Sequence, residues 1–202
     1  MSLLVETIRI EDGRIMNIGF HNERMSRTLY NIYGLKSDPC LEKIISVPPS
    51  AGAGIFKCRV LYDDKTTTTE FLPYTQRLVR SLKIIFSDEI CYPYKYTNRE
   101  RINRLFEMRG RCDDIIIIKY GKVTDSSYAN VIFKDSRGEW FTPSTYLLPG
   151  TRRANLLRNG LIKEAAISLN DISGYSEIRL INAMMDIGDT VGIPVSNIIT
   201  GD

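Results

Sequence analysis

Residues 113–133, DDIIIIKYGKVTDSSYANVIF, decide how this chain is read. Asp114–Tyr120 and Lys122–Phe133 flank Gly121, the residue suited to a tight turn, so the spacing predicts a buried hairpin. The second arm carries Asp125. An acid in a buried strand needs a compensating donor or charge. Either Asp125 caps a local bend of the backbone, or a protonated ring nitrogen of a ligand lies against it.

Upstream stands Tyr92–Arg99, YPYKYTNR, with Lys95 among three tyrosines and a proline just ahead of a helix expected over Asn98–Met108. A partly desolvated lysine has a lowered pKa and becomes a usable amine nucleophile or base. A solvated surface lysine is the alternative. Tyr92, Tyr94 and Tyr96 also interleave with Arg99, Arg101 and Arg104 as in single-strand nucleic-acid binders. Glu100, Glu107 and a net charge of only +3 weigh against that reading, and no nucleic-acid partner is expected.

Downstream, Leu148–Arg153 (LPGTRR) and Leu180–Met185 (LINAMM) read as strand-to-helix transitions rich in small and polar residues. Amides at a helix N-terminus, the Thr151 hydroxyl and nearby arginines suit a phosphate. The alternative is ordinary capping by Thr151, with Arg152 and Arg153 facing water. No G-x-x-x-x-G-K-[ST] loop is present.

Composition narrows the chemistry. The 202 residues, 43% apolar and 25% charged, are those of a soluble globular protein. No apolar run is long enough to cross a bilayer, and the N-terminus lacks the pattern of a signal peptide, so a cytoplasmic protein without a membrane partner is expected. The four cysteines form no C-x-x-C pair, which argues against a zinc or redox motif. His21 is the single histidine, which removes most Ser-His-Asp, Cys-His and multi-histidine metal schemes unless His21 itself is the base, and no metal is expected. Proton transfer then falls to Lys, Tyr, Asp or Glu, or to a cofactor.

In the first half, strands are predicted over Val5–Ile10 and Arg14–Phe20 about an Asp12–Gly13 turn, followed by a helix over His21–Leu35. Further strands are predicted at Ile55–Tyr62, Thr66–Tyr74 and Arg80–Phe86. In the second half, a helix is predicted over Thr151–Arg158, stopped by Asn159–Gly160, with strands at Ile162–Ile167 and Ile178–Asn182. Strands interspersed with helices predict an α+β (mixed α/β) chain in two domains, 1–87 and 88–202, the second carrying Lys95.

A lysine amine, a carboxylate and an anion cradle form the set that a pyridoxal phosphate site requires. The pattern resembles the class IV aminotransferase family, the fold-type IV pyridoxal phosphate enzymes. That family includes branched-chain and D-amino acid aminotransferases and 4-amino-4-deoxychorismate lyase. Five landmarks carry the resemblance, in order, from about Val5 to Val195. ETIRIEDGRI and HNERM resemble the opening hairpin and the H-x-x-R-[LM] helix start, which implies that Arg24 reaches the cofactor phosphate. KYTNR resembles the lysine segment in its K-x-x-N-R lyase version, which implies that Lys95 forms the Schiff base. The 113–133 segment resembles the family's strand–turn–strand ending in Thr-Glu and then Asn, with Asp125 as the partner of the pyridine nitrogen. LLPGTRR resembles the Gly-[IVT]-[TM]-Arg phosphate loop, with Thr151 and the Arg152 amide on the phosphate. INAMM resembles the lyase-type Asn-Ala-Leu-Met, with Asn182 and Ala183 as a second phosphate clamp.

The resemblance implies the two-domain architecture of D-amino acid aminotransferases, shortened at its N-terminus, since the family's Gly-Asp-Gly-x-Phe run ahead of Glu6–Thr7 is missing here. A pocket opened or reshaped on the substrate side is then expected. Asp125 in place of the commoner Glu brings the ring closer to the strand or inserts a water. The implied activity is that of a lyase releasing 4-aminobenzoate and pyruvate from a small amino substrate, a step of folate biosynthesis. Amino acid transamination and a non-catalytic homologue are the alternatives. Arg59 is the candidate for a substrate carboxylate, Tyr94 lines the pocket or merely packs, and a homodimer is expected.

Overall fold

The computed structural model describes residues 3–200, which form two compact units. Residues 3–76 and 94–98 make the first; residues 77–93 and 99–200 make the second. Strands and helices are mixed in the α+β manner expected.

In the first unit, strands β1 (Leu4–Glu11), β2 (Arg14–Ile15), β3 (Ile55–Tyr62) and β4 (Thr67–Pro73) form an antiparallel sheet in the order β2-β1-β3-β4. Helix α1 (Ile18–Tyr33) and the single turn α2 (Leu41–Ile44) accompany it. Alternation sends Leu4, Ile8 and Ile10 of β1 and Cys58, Val60 and Tyr62 of β3 into one core with Met25 and Leu29 of α1. Asp12 and Gly13 take the positive φ angles of the predicted turn. The strand expected to run on to Phe20 stops at Ile15, because Asn17 adopts a left-handed conformation (φ 53°) and starts α1 three residues before His21. Gly34 closes α1: its N–H reaches Tyr30 O, and the Leu35 N–H reaches Leu29 O.

The lysine segment completes this sheet. Val5 N–H donates to Lys95 O (2.9 Å) and Thr97 N–H to Leu3 O (2.8 Å), so Tyr96 pairs antiparallel with Leu4 along the edge of β1 that β2 leaves open. Tyr94 and Tyr96 pack against the first unit's core, edge to face with ring centres 6.0 Å apart.

Nine strands are described in the second unit. Its main path runs β10 (Lys163–Ala165), β9 (Trp140–Pro143), β8 (Asn130–Lys134), β7 (Lys122–Ser126), β6 (Asp114–Lys119), β5 (Leu82–Phe86) and β13 (Ile198–Ile199). Strand β11 (Glu177–Ile181) joins β8 and carries β12 (Ile193–Pro194). Helices α3 (Glu100–Glu107) and α4 (Thr151–Arg158) belong to the same unit. The arm predicted as one strand over Lys122–Phe133 is two. The Ser126 hydroxyl accepts the Tyr128 and Ala129 N–H groups, and Ser126 N–H donates to Ala129 O, which folds the chain back so that Asp125 pairs with Asn130. Leu180–Met185 is likewise no helix start. Beyond β11, Asn182 and Met185 exchange backbone hydrogen bonds across a tight turn.

Candidate active site

Two constellations of the expected residues stand out, one in each unit. In the first unit, the inward row of β1 holds one charged residue among its apolar neighbours. Glu6 is fully buried. Its Oε1 accepts Arg24 Nε–H at 2.9 Å, and its Oε2 accepts from Arg24 Nη2 and from His21 Nδ1, the latter at 2.6 Å. His21 and Arg24 lie one turn apart on α1 and so face β1 together. Burial pushes the Glu6 carboxyl up, but the Arg24 charge and the His21 hydrogen bond outweigh it and hold it at about 2. Burial pushes the His21 imidazole down, against the upward pull of Glu6, and the charges of Arg24 and Lys95 add to the lowering. Beside an ionised carboxylate, a neutral imidazole must carry its proton on Nδ1 and donate it. Lys95 is half-buried, on the segment that pairs with β1 at Leu4.

In the second unit Asp125 is buried at the end of β7. Its Oδ2 accepts the N–H groups of Leu147 (2.9 Å) and Leu148 (3.0 Å), and its Oδ1 accepts from Asn130 Nδ2 (2.7 Å). Asn130 Nδ2 also donates to Leu148 O (3.0 Å). The first reading of this acid holds: it fastens a backbone bend, the one leading into α4. Yet among the described residues no cation is ion-paired with it. Burial raises its carboxyl to about 6, against the lowering by these three donors and by the Arg153 charge. A carboxylate offers about four acceptor positions. One on Oδ1 remains for a further donor, and a protonated ring N–H would bring the missing positive charge as well.

The bend delivers the chain to α4. Gly150 packs so closely on Asn130 that an added Cβ would fall 1.9 Å from Asn130 Oδ1, so this glycine is required for space rather than for its backbone angles. No side chain caps α4. Its first-turn N–H groups have no acceptor within the helix. Thr151, Arg152 and Arg153 are all buried, which removes the reading of two arginines in water. Arg152 contacts Asp186 Oδ2 (3.1 Å) and Asn155, while its buried Nε has no partner among the described residues. Arg153 donates to Pro143 O, pairs with Glu164 and lies over the Tyr146 ring. In the tight turn after β11, Asn182 Oδ1 accepts Met184 N–H (2.8 Å), and Asn182 Nδ2 reaches Tyr128 O (3.5 Å). The half-buried Ala183 stands at the outer corner of that turn. Amides at a helix N-terminus, a hydroxyl and a buried guanidinium suit a phosphate dianion. The residues present thus fit pyridoxal phosphate.

Arg59, on β3, ion-pairs with Glu70 beside it on β4. Glu6 is the residue that sequence reasoning passed over. Its signal was there: an acid in the inward row Leu4, Glu6, Ile8, Ile10, with a histidine and an arginine three residues apart on the next helix. Asp114 was also passed over. It is fully buried, accepts from Ser127 N–H and Oγ–H, and pairs with Arg77, whose guanidinium lies over the Phe106 and Tyr128 rings. Among the described residues no helix is long and apolar enough to cross a membrane, and no His, Cys, Asp and Glu cluster of metal-binding size occurs.

Residues 93–193 match the family described as Amino-transferase class IV. The chain is 41% identical over 183 residues to an uncharacterized protein of Haemophilus influenzae, covering 90% of this chain and 97% of that one. It resembles the crystal structure of a candidate 4-amino-4-deoxychorismate lyase from Haemophilus somnus, with a TM-score of 0.86 and 37% identity over 95% and 98% of the two chains. It shares its fold with a hypothetical aminotransferase of Mycobacterium tuberculosis solved in a PLP-bound form, with a TM-score of 0.74 and 16% identity over 98% and 81% of the two chains.

Proposed function

This chain belongs to the class IV aminotransferase family, and on that premise we propose that it is a pyridoxal phosphate-dependent enzyme acting on a small amino substrate. We propose further that its reaction is the lyase one, releasing 4-aminobenzoate and pyruvate. The observation that carries the cofactor assignment is Asp125: a buried carboxylate supplied with N–H donors and with one acceptor position to spare, but with no ion-paired cation among the described residues. The likeness to the lyase-named protein of Haemophilus somnus, along almost the whole of both chains, favours the lyase reaction.

The roles follow from the residues. Thr151, the amides opening α4, Arg152, Asn182 and Ala183 would hold the phosphate, and Arg24 is the further candidate for it. Asp125 Oδ1 would accept the ring N–H and stay ionised beside it. Lys95 Nζ would carry the cofactor covalently and, once released, take the proton from the amino-bearing carbon of the substrate and give it to the departing enolpyruvyl group, which leaves as pyruvate. When bound, the cofactor supplies an aldehyde for the lysine and a ring that accepts the negative charge developed at that carbon. Tyr94 would sit beside Lys95 on the substrate side, and Arg59 remains the candidate for a substrate carboxylate on condition that it exchanges Glu70 for the ligand. The test is a coupled assay for pyruvate released from aminodeoxychorismate, run beside a panel of amino donors with 2-oxoglutarate. Pyruvate release without amino transfer supports the lyase assignment; amino transfer alone assigns the protein as a transaminase.

A further inference from the structure

We propose, resting on that reading, that Glu6 is a positioning residue: it holds the Arg24 guanidinium by Nε and Nη2 and so aims that arginine at the cofactor phosphate, while His21 steadies Glu6 at Oε2. Glu6 occupies a place in β1 where its neighbours in the row, Leu4, Ile8 and Ile10, are core residues. An apolar side chain there would serve packing at least as well, because a buried ion pair seldom repays its own desolvation. What a carboxylate adds is direction. A guanidinium is a rigid planar fork, and two contacts from one edge, at Nε (2.9 Å) and Nη2 (2.5 Å), fix its plane and turn the Nη1 corner away from Glu6. The His21 contact at 2.6 Å fixes the carboxylate in turn. Helix α1 is anchored on the core through Met25 and Leu29, one residue and five residues beyond Arg24, so the backbone that carries the arginine is held as well. Glu6 needs no contact with the ligand in this scheme.

The cofactor differs from pyridoxal by the phosphate alone, which isolates the effect. The full-length protein, freed of cofactor, is titrated with pyridoxal phosphate and separately with pyridoxal, following the visible absorption of each. The wild type is expected to prefer the phosphate form. Glu6→Gln should reduce that preference about tenfold, the size of one misdirected charge-assisted hydrogen bond, and leave the affinity for pyridoxal unchanged. Arg24→Lys should do the same, and the double variant should lose little more than either single one. If Glu6→Gln does not fold, Glu6→Asp serves: it keeps the charge but is one methylene too short, and the same loss of preference is expected. Equal weakening toward both ligands, or losses at Glu6 and Arg24 that add, would overturn the proposal. A wild type that takes up neither ligand would instead overturn the functional reading on which it rests.

Discussion

Glu6 and Asp125 are equally buried, yet one carboxyl is held at about 2 and the other pushed up to about 6. Arg24 and His21 stand against the first, whereas only dipolar N–H groups touch the second. The consequences for stability have opposite signs. Glu6 has a depressed pKa, so its contribution is complete above its usual 4.5 and is lost as the pH falls toward about 2; by linkage it amounts to about 3 kcal/mol. Glu6→Gln should remove that slope from urea denaturation measured across this range. At neutral pH it should cost about 3–5 kcal/mol, since Arg24 is left buried without a counter-charge. Asp125 has a raised pKa, so its contribution is greatest below its usual 3.8 and is lost as the pH rises through about 6. A ligand bringing a cation to Oδ1 restores it. Stabilisation by added pyridoxal phosphate should therefore climb through pH 6 in the wild type, and Asp125→Asn should flatten the climb. Thermal unfolding of the two proteins compared pH by pH checks this, because the ligand's own titration is common to both. Asp125 was legible in the sequence as a residue of the wrong polarity for its buried strand. Glu6 was equally anomalous in its row, but its partners come from a helix and only the fold shows them meeting.

At the scale of elements, the stretch from β7 to α4 works as one piece. Asp125 grips the amides of Leu147 and Leu148, Asn130 bridges Asp125 and Leu148, and Gly150 makes room for Asn130. Gly150→Ala should force Asn130 to withdraw from both partners. The expected cost is about 1–3 kcal/mol in denaturant unfolding, together with weaker uptake of pyridoxal phosphate. Gly19→Ala in α1 is the control: nothing lies within 4 Å of the added Cβ, and it should be neutral or slightly stabilising. Helix α4 and its Asn159–Gly160 stop were legible because a glycine stop is a local signal. The break at residues 127–129 was not, since DSSYAN carries no proline or glycine and it is the Ser126 hydroxyl that turns the chain.

At the scale of the molecule, the chain leaves its second unit at Tyr94, adds five residues to the first, and returns at Arg99. Those five residues include Lys95. The Thr97 hydroxyl bonds Leu3 O across 94 positions of sequence, a pairing that no local signal announces. The mixed α+β architecture was legible from alternating strands and helices; this edge addition was not, because nothing in YPYKYTNR names its partner strand. We propose that the protein is a homodimer, as its family resemblance implies, and sedimentation should give twice the chain mass of 23.1 kDa. The claim on which the rest stands is that Lys95 holds the cofactor. It is tested most directly by incubating the full-length protein with pyridoxal phosphate, reducing with borohydride, digesting it and weighing the peptides. The predicted result is a pyridoxyl group on the peptide that contains Lys95, absent from Lys95→Ala; label spread over other lysines with Lys95 unmodified would contradict the account.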